Sequence, residues 1–421
     1  MKIQQKYFLI AASVIFSLLF QGCVKDTVRH TYSYTWFEPV YKTSEQVRQS
    51  IKSDLPVEIK TPGKLFIKGN YIFLNEVNKG VHVIDNSNPS APVNKAFINI
   101  PGNIDIAVKG NTLYADLYTD LLTIDIADPM NVVTKKIIDN VFPHRYYNDF
   151  IADTTKMIYS WIRHDTTVTE EYIDGSQLFS SNGGVFLATD MLSNNAAYSG
   201  GSPVGIAGSM ARFALVNDYM YTVGQAALQS INISVPEEPV LAKTINLEWG
   251  VETIYPFKNK LFIGSNSGMF IYDITDAANP VQEGIFLHAR VCDPVIADDE
   301  YAYVTLRNGT ECQGFLNELD IVDIKNLSSP FLRKKYQMTN PHGLSKDGDL
   351  LFICDGIDGL RVLNAADVDD VKLIKQVTGM ETYDVIAYGN VAIVVAKDGL
   401  YQFDYSNTAN IHQLSKMPLS K

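Results

Sequence analysis

Apolar and polar positions alternate in short blocks along most of this chain. Runs such as Tyr71-Ile72-Phe73-Leu74 and Leu350-Leu351-Phe352-Ile353-Cys354 are closed by turns containing Gly, Asn or Asp. Blocks of that length, rich in aromatic and β-branched residues, predict strands; a helix needs a longer run with a 3.6-residue period. One pattern recurs, a β-rich run that ends in an acid or amide before polar turn residues. It reads Val83-Ile84-Asp85, Thr123-Ile124-Asp125, Ala188-Thr189-Asp190, Ser230-Ile231-Asn232, Ile271-Tyr272-Asp273, Ile321-Val322-Asp323, Val362-Leu363-Asn364 and Gln402-Phe403-Asp404. The spacings are 40, 65, 42, 41, 50, 41 and 40 residues. Each of the two long intervals contains an insertion, at 163–183 and at 307–318.

Every unit has the same internal order. A first strand ends in a turn such as Lys68-Gly69-Asn70, a second apolar strand follows, and a Gly-containing turn leads to the third. Turns such as Asn88-Pro89, Asp128-Pro129 and Asn279-Pro280 then lead to a less hydrophobic fourth strand. Four short strands in ~40 residues is the signature of a propeller blade. Eight units fit between Lys64 and Leu419, so the sequence predicts an all-β, eight-bladed β-propeller, or seven blades if one unit pairs outside the ring. The repeated acid is placed to accept backbone N–H groups of the turn that follows it. The best helix candidate is Thr43–Lys52, opened by the capping-box pattern Thr43-Ser44-Glu45-Gln46.

These units resemble the LVIVD repeat family, whose third-strand consensus reads here as Leu319-Asp320-Ile321-Val322-Asp323 and Gly80-Val81-His82-Val83-Ile84-Asp85-Asn86. The resemblance covers roughly residues 55–405. It implies a bacterial cell-surface lipoprotein β-propeller with no assigned activity. Units three, seven and eight lack the Pro turn, and unit four carries Asn232 in place of the acid.

The N-terminus reads as an address. Lys2 and Lys6 precede an uncharged run, Tyr7 to Phe20, which is short for a ~30 Å hydrocarbon core and suits a signal-peptide core. Phe20-Gln21-Gly22-Cys23 then resembles a lipobox, which implies acylation of Cys23, palmitate included, and an outer-membrane location. The expected organisation is a signal peptide at 1–22, a lipid-anchored tether at 23–60 and the propeller at 61–421. Tyr32, Tyr34, Trp36, Phe37 and Tyr41 make the tether too aromatic for a free linker, so its latter half is expected to pack along the propeller.

Composition adds boundaries. The 421 residues are 46% hydrophobic, too apolar for disorder and long for one core. Lys+Arg number 35 against 47 Asp+Glu. Removing residues 1–22 takes away two lysines and no acid, so 33 cations face 47 acids and the formal charge is −14. A global basic field for nucleic acid is absent.

Counting back from each first-strand turn gives one equivalent position per unit: Lys64, Asp105, Asp149, Arg212, Thr253, Asp293, His342 and Asp384. These are expected to ring the pore mouth. They form either an ion-pair belt that locks blades together or a polar pocket for a small or glycan-like ligand, with Tyr146, Tyr147, Trp249 and Tyr383 available for stacking. His144, His164, His288 and His342 fall in loops of the same predicted face. Spacings such as HxH or HExxH are lacking, so no metal is assigned. Cys292 and Cys312 are placed to bridge across the second insertion in a disulfide-permitting compartment, and Cys354 reads as a core thiol. Neither a P-loop nor GxSxG occurs, and Asp355-Gly356-Ile357-Asp358-Gly359 reads as a turn between strands. No cofactor is implied. Asp26-Thr27-Val28 and Asp165-Thr166-Thr167 resemble bacterial O-glycan acceptor sites.

The function expected is a lipid-anchored, non-enzymatic binding or scaffolding module for a glycan, peptide or partner protein. Two alternatives stand: a carbohydrate-active hydrolase or lyase using pore-mouth carboxylates, and a structural subunit of an envelope complex.

Overall fold

The computed structural model describes residues 27–143, 146–147, 150–151, 157–173, 209–210, 212–224, 226–248, 250–288, 294–307 and 316–420. The chain divides into two compact units, one of residues 41–159 with 195–421 and one of residues 1–40 with 160–194.

The larger unit is a β-propeller. Among the described residues it holds seven antiparallel sheets of four consecutive strands. Blades 1 to 7 span 62–99, 106–138, 213–246, 251–287, 295–337, 344–377 and 382–418. The count among the described residues is seven, the alternative expected if one unit pairs outside the ring. The ring steps from blade 2 directly to blade 3: Tyr114 Oη donates to Pro236 O at 2.9 Å and Lys109 pairs with Asp218 at 2.7 Å. The third predicted unit is described only in part. Its strand Met157–Ile173 pairs with Thr27–Lys42, so Arg163 to Ile173 belong to a strand and not to the expected loop insertion. Its marker Ala188-Thr189-Asp190 lies outside the described residues. The physical reason is the hydrophobic pattern. Second strands such as Tyr71–Glu76 are apolar on both faces because a blade lies on either side. Trp161 to Thr169 instead largely alternates partly buried and exposed positions, as a two-sided ribbon requires.

Successive blades are tied by the same device. Tyr221 Oη donates to Ala277 O and Ser230 Oγ to Ala278 O, from blade 3 into a blade 4 turn, and Tyr336 Oη donates to Val368 O, from blade 5 into blade 6. Burial pushes the phenols of Tyr114 and Tyr221 well up, so they remain donors. Blade 7 meets blade 1 through Gln402 and Asn86, 2.7 Å apart, and through Ser415 Oγ to Pro89 O at 2.6 Å.

The repeated acid or amide acts as expected in all seven blades. Asp85, Asp125, Asn232, Asp273, Asp323, Asn364 and Asp404 each accept the backbone N–H two residues on. A second regularity is new. Every fourth strand carries a bulge opposite the third, and the inserted residues are Lys95, Lys135, Ala242, Glu283, Arg333, Ile374 and Leu414. The bulge bends the outer strand and turns Lys95 and Lys135 toward Asp85 and Asp125.

Residues 43–61 strap the ring. Thr43 caps the short helix Ser44–Arg48 with a full capping box. Val47 is fully buried in the core shared by blades 1 and 2, and Arg48 pairs with Asp120 and Asp139 of the blade 2 region. Lys52–Asp54 adds a fifth strand to the outer edge of blade 1. Glu76 accepts the backbone N–H groups of Lys60 and Thr61, and Ile59 packs in the cluster between blades 7 and 1. In the smaller unit, the ribbon pairs Thr31 with Thr169, Ser33 with Thr167 and Thr35 with Asp165, and Trp36 stacks on His164 at 4.3 Å. Among the described residues no helix is long and apolar enough to cross a membrane.

Candidate functional site

The candidate ring positions lie where each first strand begins. In blades 1, 4 and 7 the pairing of first and second strands slips between Pro62 and Leu65, Val251 and Thr253, and Thr382 and Asp384. Such a bulge re-aims the side chain that follows it. Lys64, Asp105, Thr253, His342 and Asp384 are all buried and Arg212 is half-buried. Tyr147 lies on the short strand Tyr146–Tyr147. Asp149, Asp293 and Trp249 lie outside the described residues, as do Cys23, His144, Cys292 and Cys312.

What brings the ring together is a segment that sequence reasoning missed. Leu344 N–H of blade 6 donates to Ser209 Oγ at 2.8 Å, Lys64 Nζ of blade 1 donates to Met210 O at 3.0 Å, and Arg212 N–H donates to Asp105 Oδ2 at 3.0 Å beside blade 2. Residues 209–212 extend over only ~10 Å. They touch the entries of blades 1, 2 and 6, which converge nowhere except at the axis. Ser209 and Met210 are each 1% exposed. Ser209 and Met210, on the chain entering blade 3, therefore lie at the axis. Lys64 Nζ also lies 3.9 Å from Asp105 Oδ2. No periodic pattern marks Ser209-Met210 in the sequence, because the segment belongs to no strand.

The two described carboxylates at the axis have different partners. Asp105 accepts from Ile106 N–H as well as Arg212 N–H. Asp384 is buried; that burial, opposed by the Val385 N–H and by the charge of Lys64, pushes its carboxyl up to about 7. Gly343 is required beside it, since a Cβ there would come within 2.2 Å of Asp384 Oδ1. His342 is pushed down to about 3 by burial and by the Arg307 charge. It meets Tyr383 edge-on at 5.6 Å.

His164 bonds Glu38 at 2.9 Å in the ribbon unit, and His288 follows the outer strand of blade 4. Among the described residues no group of three or more His, Cys, Asp and Glu could hold a metal ion. Cys354 is a free, buried thiol, raised well above its ordinary value by burial. Asp355 accepts Thr339 N–H and Asn340 N–H and forms an ion pair with Arg361, so its turn is closed by protein groups.

The family description "LVIVD repeat" matches residues 63–99, 103–140 and 292–338. The chain carries LVIVD repeats. The matched stretches coincide with blades 1, 2 and 5 of this LVIVD-repeat propeller. A search of curated proteins found no match. Similar solved structures include the periplasmic gluconolactonase of Pseudomonas aeruginosa, with TM-score 0.53 at 10% identity over 88% of this chain and 98% of that one. A protein from Lactobacillus plantarum gives TM-score 0.52 at 11% identity over 84% and 96%. The computationally designed Ika8 protein gives 0.51 at 8% identity over 87% and 90%. At these identities the likeness is one of fold alone.

Proposed function

We propose that this LVIVD-repeat propeller is a non-enzymatic binding or scaffolding module, held at the outer membrane by acylation of Cys23, with a glycan, peptide or partner protein as its ligand. The observation that carries the reading is the occupied axis. Asp105 is engaged by Lys64 and two backbone amides, and Asp384 is buried and accepts Val385 N–H. Glycoside cleavage needs two carboxyl groups roughly 5–9.5 Å apart across an open cleft. Carboxylates committed to the protein's own chain suit a rigid scaffold better. The acidic balance, 47 against 35, argues against a nucleic-acid partner.

A glycan and peptide array probed with the wild-type protein tests the reading. Retention of a ligand that is recovered chemically unchanged is expected; cleavage of the retained ligand would overturn it in favour of the hydrolase or lyase. For the anchor, Cys23→Ser is expected to move the protein from the membrane fraction to the soluble one. Unchanged membrane retention would remove the lipid from the proposal.

A further inference from the structure

We propose that the outer strand of blade 4, Val281–Leu287, pairs edge to edge with the same strand of a second copy of this chain. The first observation is what the outer strands carry. A sheet edge presents unpaired backbone groups, and lysine along it opposes pairing with another chain. Lys95, Lys136, Lys243, Lys335, Lys375 and Lys416 stand on the outer strands of blades 1, 2, 3, 5, 6 and 7. The outer strand of blade 4, Val281-Gln282-Glu283-Gly284-Ile285-Phe286-Leu287, carries no cation. Its one charge, Glu283, is held by Lys260 of its own blade at 2.6 Å. Ile285 is 37% and Leu287 67% exposed. Among the described residues no strand pairs with its outer side.

Blade 1 shows what covers this position. Phe97, Ile98 and Asn99 oppose His82, Val81 and Gly80, just as Ile285, Phe286 and Leu287 oppose Phe270, Met269 and Gly268. In blade 1 those three residues receive Asp54, Ser53 and Lys52 as an antiparallel fifth strand, and Phe97 and Ile98 are buried beneath it. The side chains of blade 4 select the occupant. A strand laid against Ile285 and Leu287 must be apolar there, or it strands a polar group against them. A second Val281–Leu287 meets that condition, whereas every other described outer strand would bring a lysine. With a two-fold axis beside Phe286, Ile285 of each copy opposes Leu287 of the other, a closed, isologous contact. The strand is held in place to make it. Phe286 packs against the core between blades 4 and 5, and a Cβ on Gly284 would come within 1.9 Å of Leu327 O in a blade 5 turn.

Sedimentation velocity of the full chain over a wide concentration range tests the proposal. The wild type is expected to pass from the monomer mass to twice that mass, and only at the higher concentrations, since a seven-residue edge is small for an interface. The outward-pointing amides of residues 281–287 are expected to gain protection from hydrogen exchange over the same range. Lys335 and Lys416 take the place of Ile285 in blades 5 and 7, so the fold accepts lysine there. Ile285→Lys is expected to hold the chain at the monomer mass at every concentration. Should that variant not fold, Leu287→Lys, at the more exposed position, is expected to do the same. A wild type that stays monomeric would overturn the proposal and leave the edge to a strand of another protein. A dimer that survives in a folded lysine variant would overturn it too. Val240→Lys, on the exposed outer strand of blade 3, is expected to keep the dimer; its loss there would place the contact off blade 4 and count against the proposal.

Discussion

Lys64 Nζ reaches the carbonyl oxygen of Met210 at 3.0 Å, joining the first blade to chain 146 residues away. The ammonium is 2% exposed and shares its charge with Asp105. Lys64→Met would leave a buried carboxylate without its cation and a buried carbonyl without its donor. Breaking a buried pair from one side costs about 3–5 kcal/mol. Urea unfolding is expected to show that loss for Lys64→Met and a smaller one for the double variant Lys64→Met/Asp105→Asn, where no charge is stranded. Equal losses would show that the two groups are not coupled.

Asp384 makes stability fall as pH rises. Its carboxyl is raised to about 7 in the folded chain, whereas the unfolded chain has an ordinary carboxylate near 4. The folded state therefore holds the proton more tightly. That contribution is complete below about pH 4 and is lost as pH climbs toward 7. Asp384→Asn keeps an oxygen for Val385 N–H and cannot ionise. The variant is expected to match the wild type in Tm at pH 4 and exceed it at pH 8. Parallel Tm profiles would contradict the assignment.

Asp273 works in the opposite sense. Its hydrogen bond to Lys260, helped by Thr275 N–H, holds the carboxyl down to about 2. The stability it supplies is present above about pH 4 and disappears as pH falls toward 2. Asp273→Asn retains the turn and loses the ion pair, so it should flatten the acid limb of the stability curve. Hydrogen exchange in the 273–281 turn would report the change locally.

Val47 is expected to matter more than its place in a linking segment suggests. It is fully buried among blade 1 and blade 2 side chains. Val47→Ala should cost about 2 kcal/mol by denaturant unfolding. Val47→Ala combined with Arg48→Ala should also speed proteolysis within residues 43–61. A change below about 0.5 kcal/mol, the range of ordinary surface substitutions, would show that the strap contributes nothing to ring closure.

Cys292 and Cys312 are expected to appear as one linked peptide in mass spectrometry without reductant. Such a bridge over ~20 residues contributes roughly 2–4 kcal/mol. Free thiols at both positions would remove it.

The blades were legible because the turn after each third strand demands a short acceptor side chain, and that demand prints Asp or Asn at a regular interval. Asp85, Asp125 and Asp273 could be read for that reason. Seven blades, the alternative reading, is what the structure holds among the described residues, and Ala188-Thr189-Asp190 shows why eight came first: it satisfies the local pattern by residue type. The alternating Thr-rich stretch around Thr166 to Thr169, visible in the same sequence, was the better guide. The positions Lys64, Asp105 and Asp384 came from counting back from each first-strand turn. Ser209 and Met210 did not. Their role comes from where three blade entries converge, and two residues held by a backbone carbonyl and one hydroxyl leave no periodic trace.

The strap has a mechanical consequence. Tension applied to the chain ahead of residue 43 does not arrive at one edge of blade 1. Arg48 is tied to the blade 2 region, Lys52–Asp54 pairs along the outer strand of blade 1, and Ser420 N–H bonded to Ile59 O ties in the C-terminal end. Load on the strap is thereby divided among blades 1 and 2 and the chain that follows blade 7.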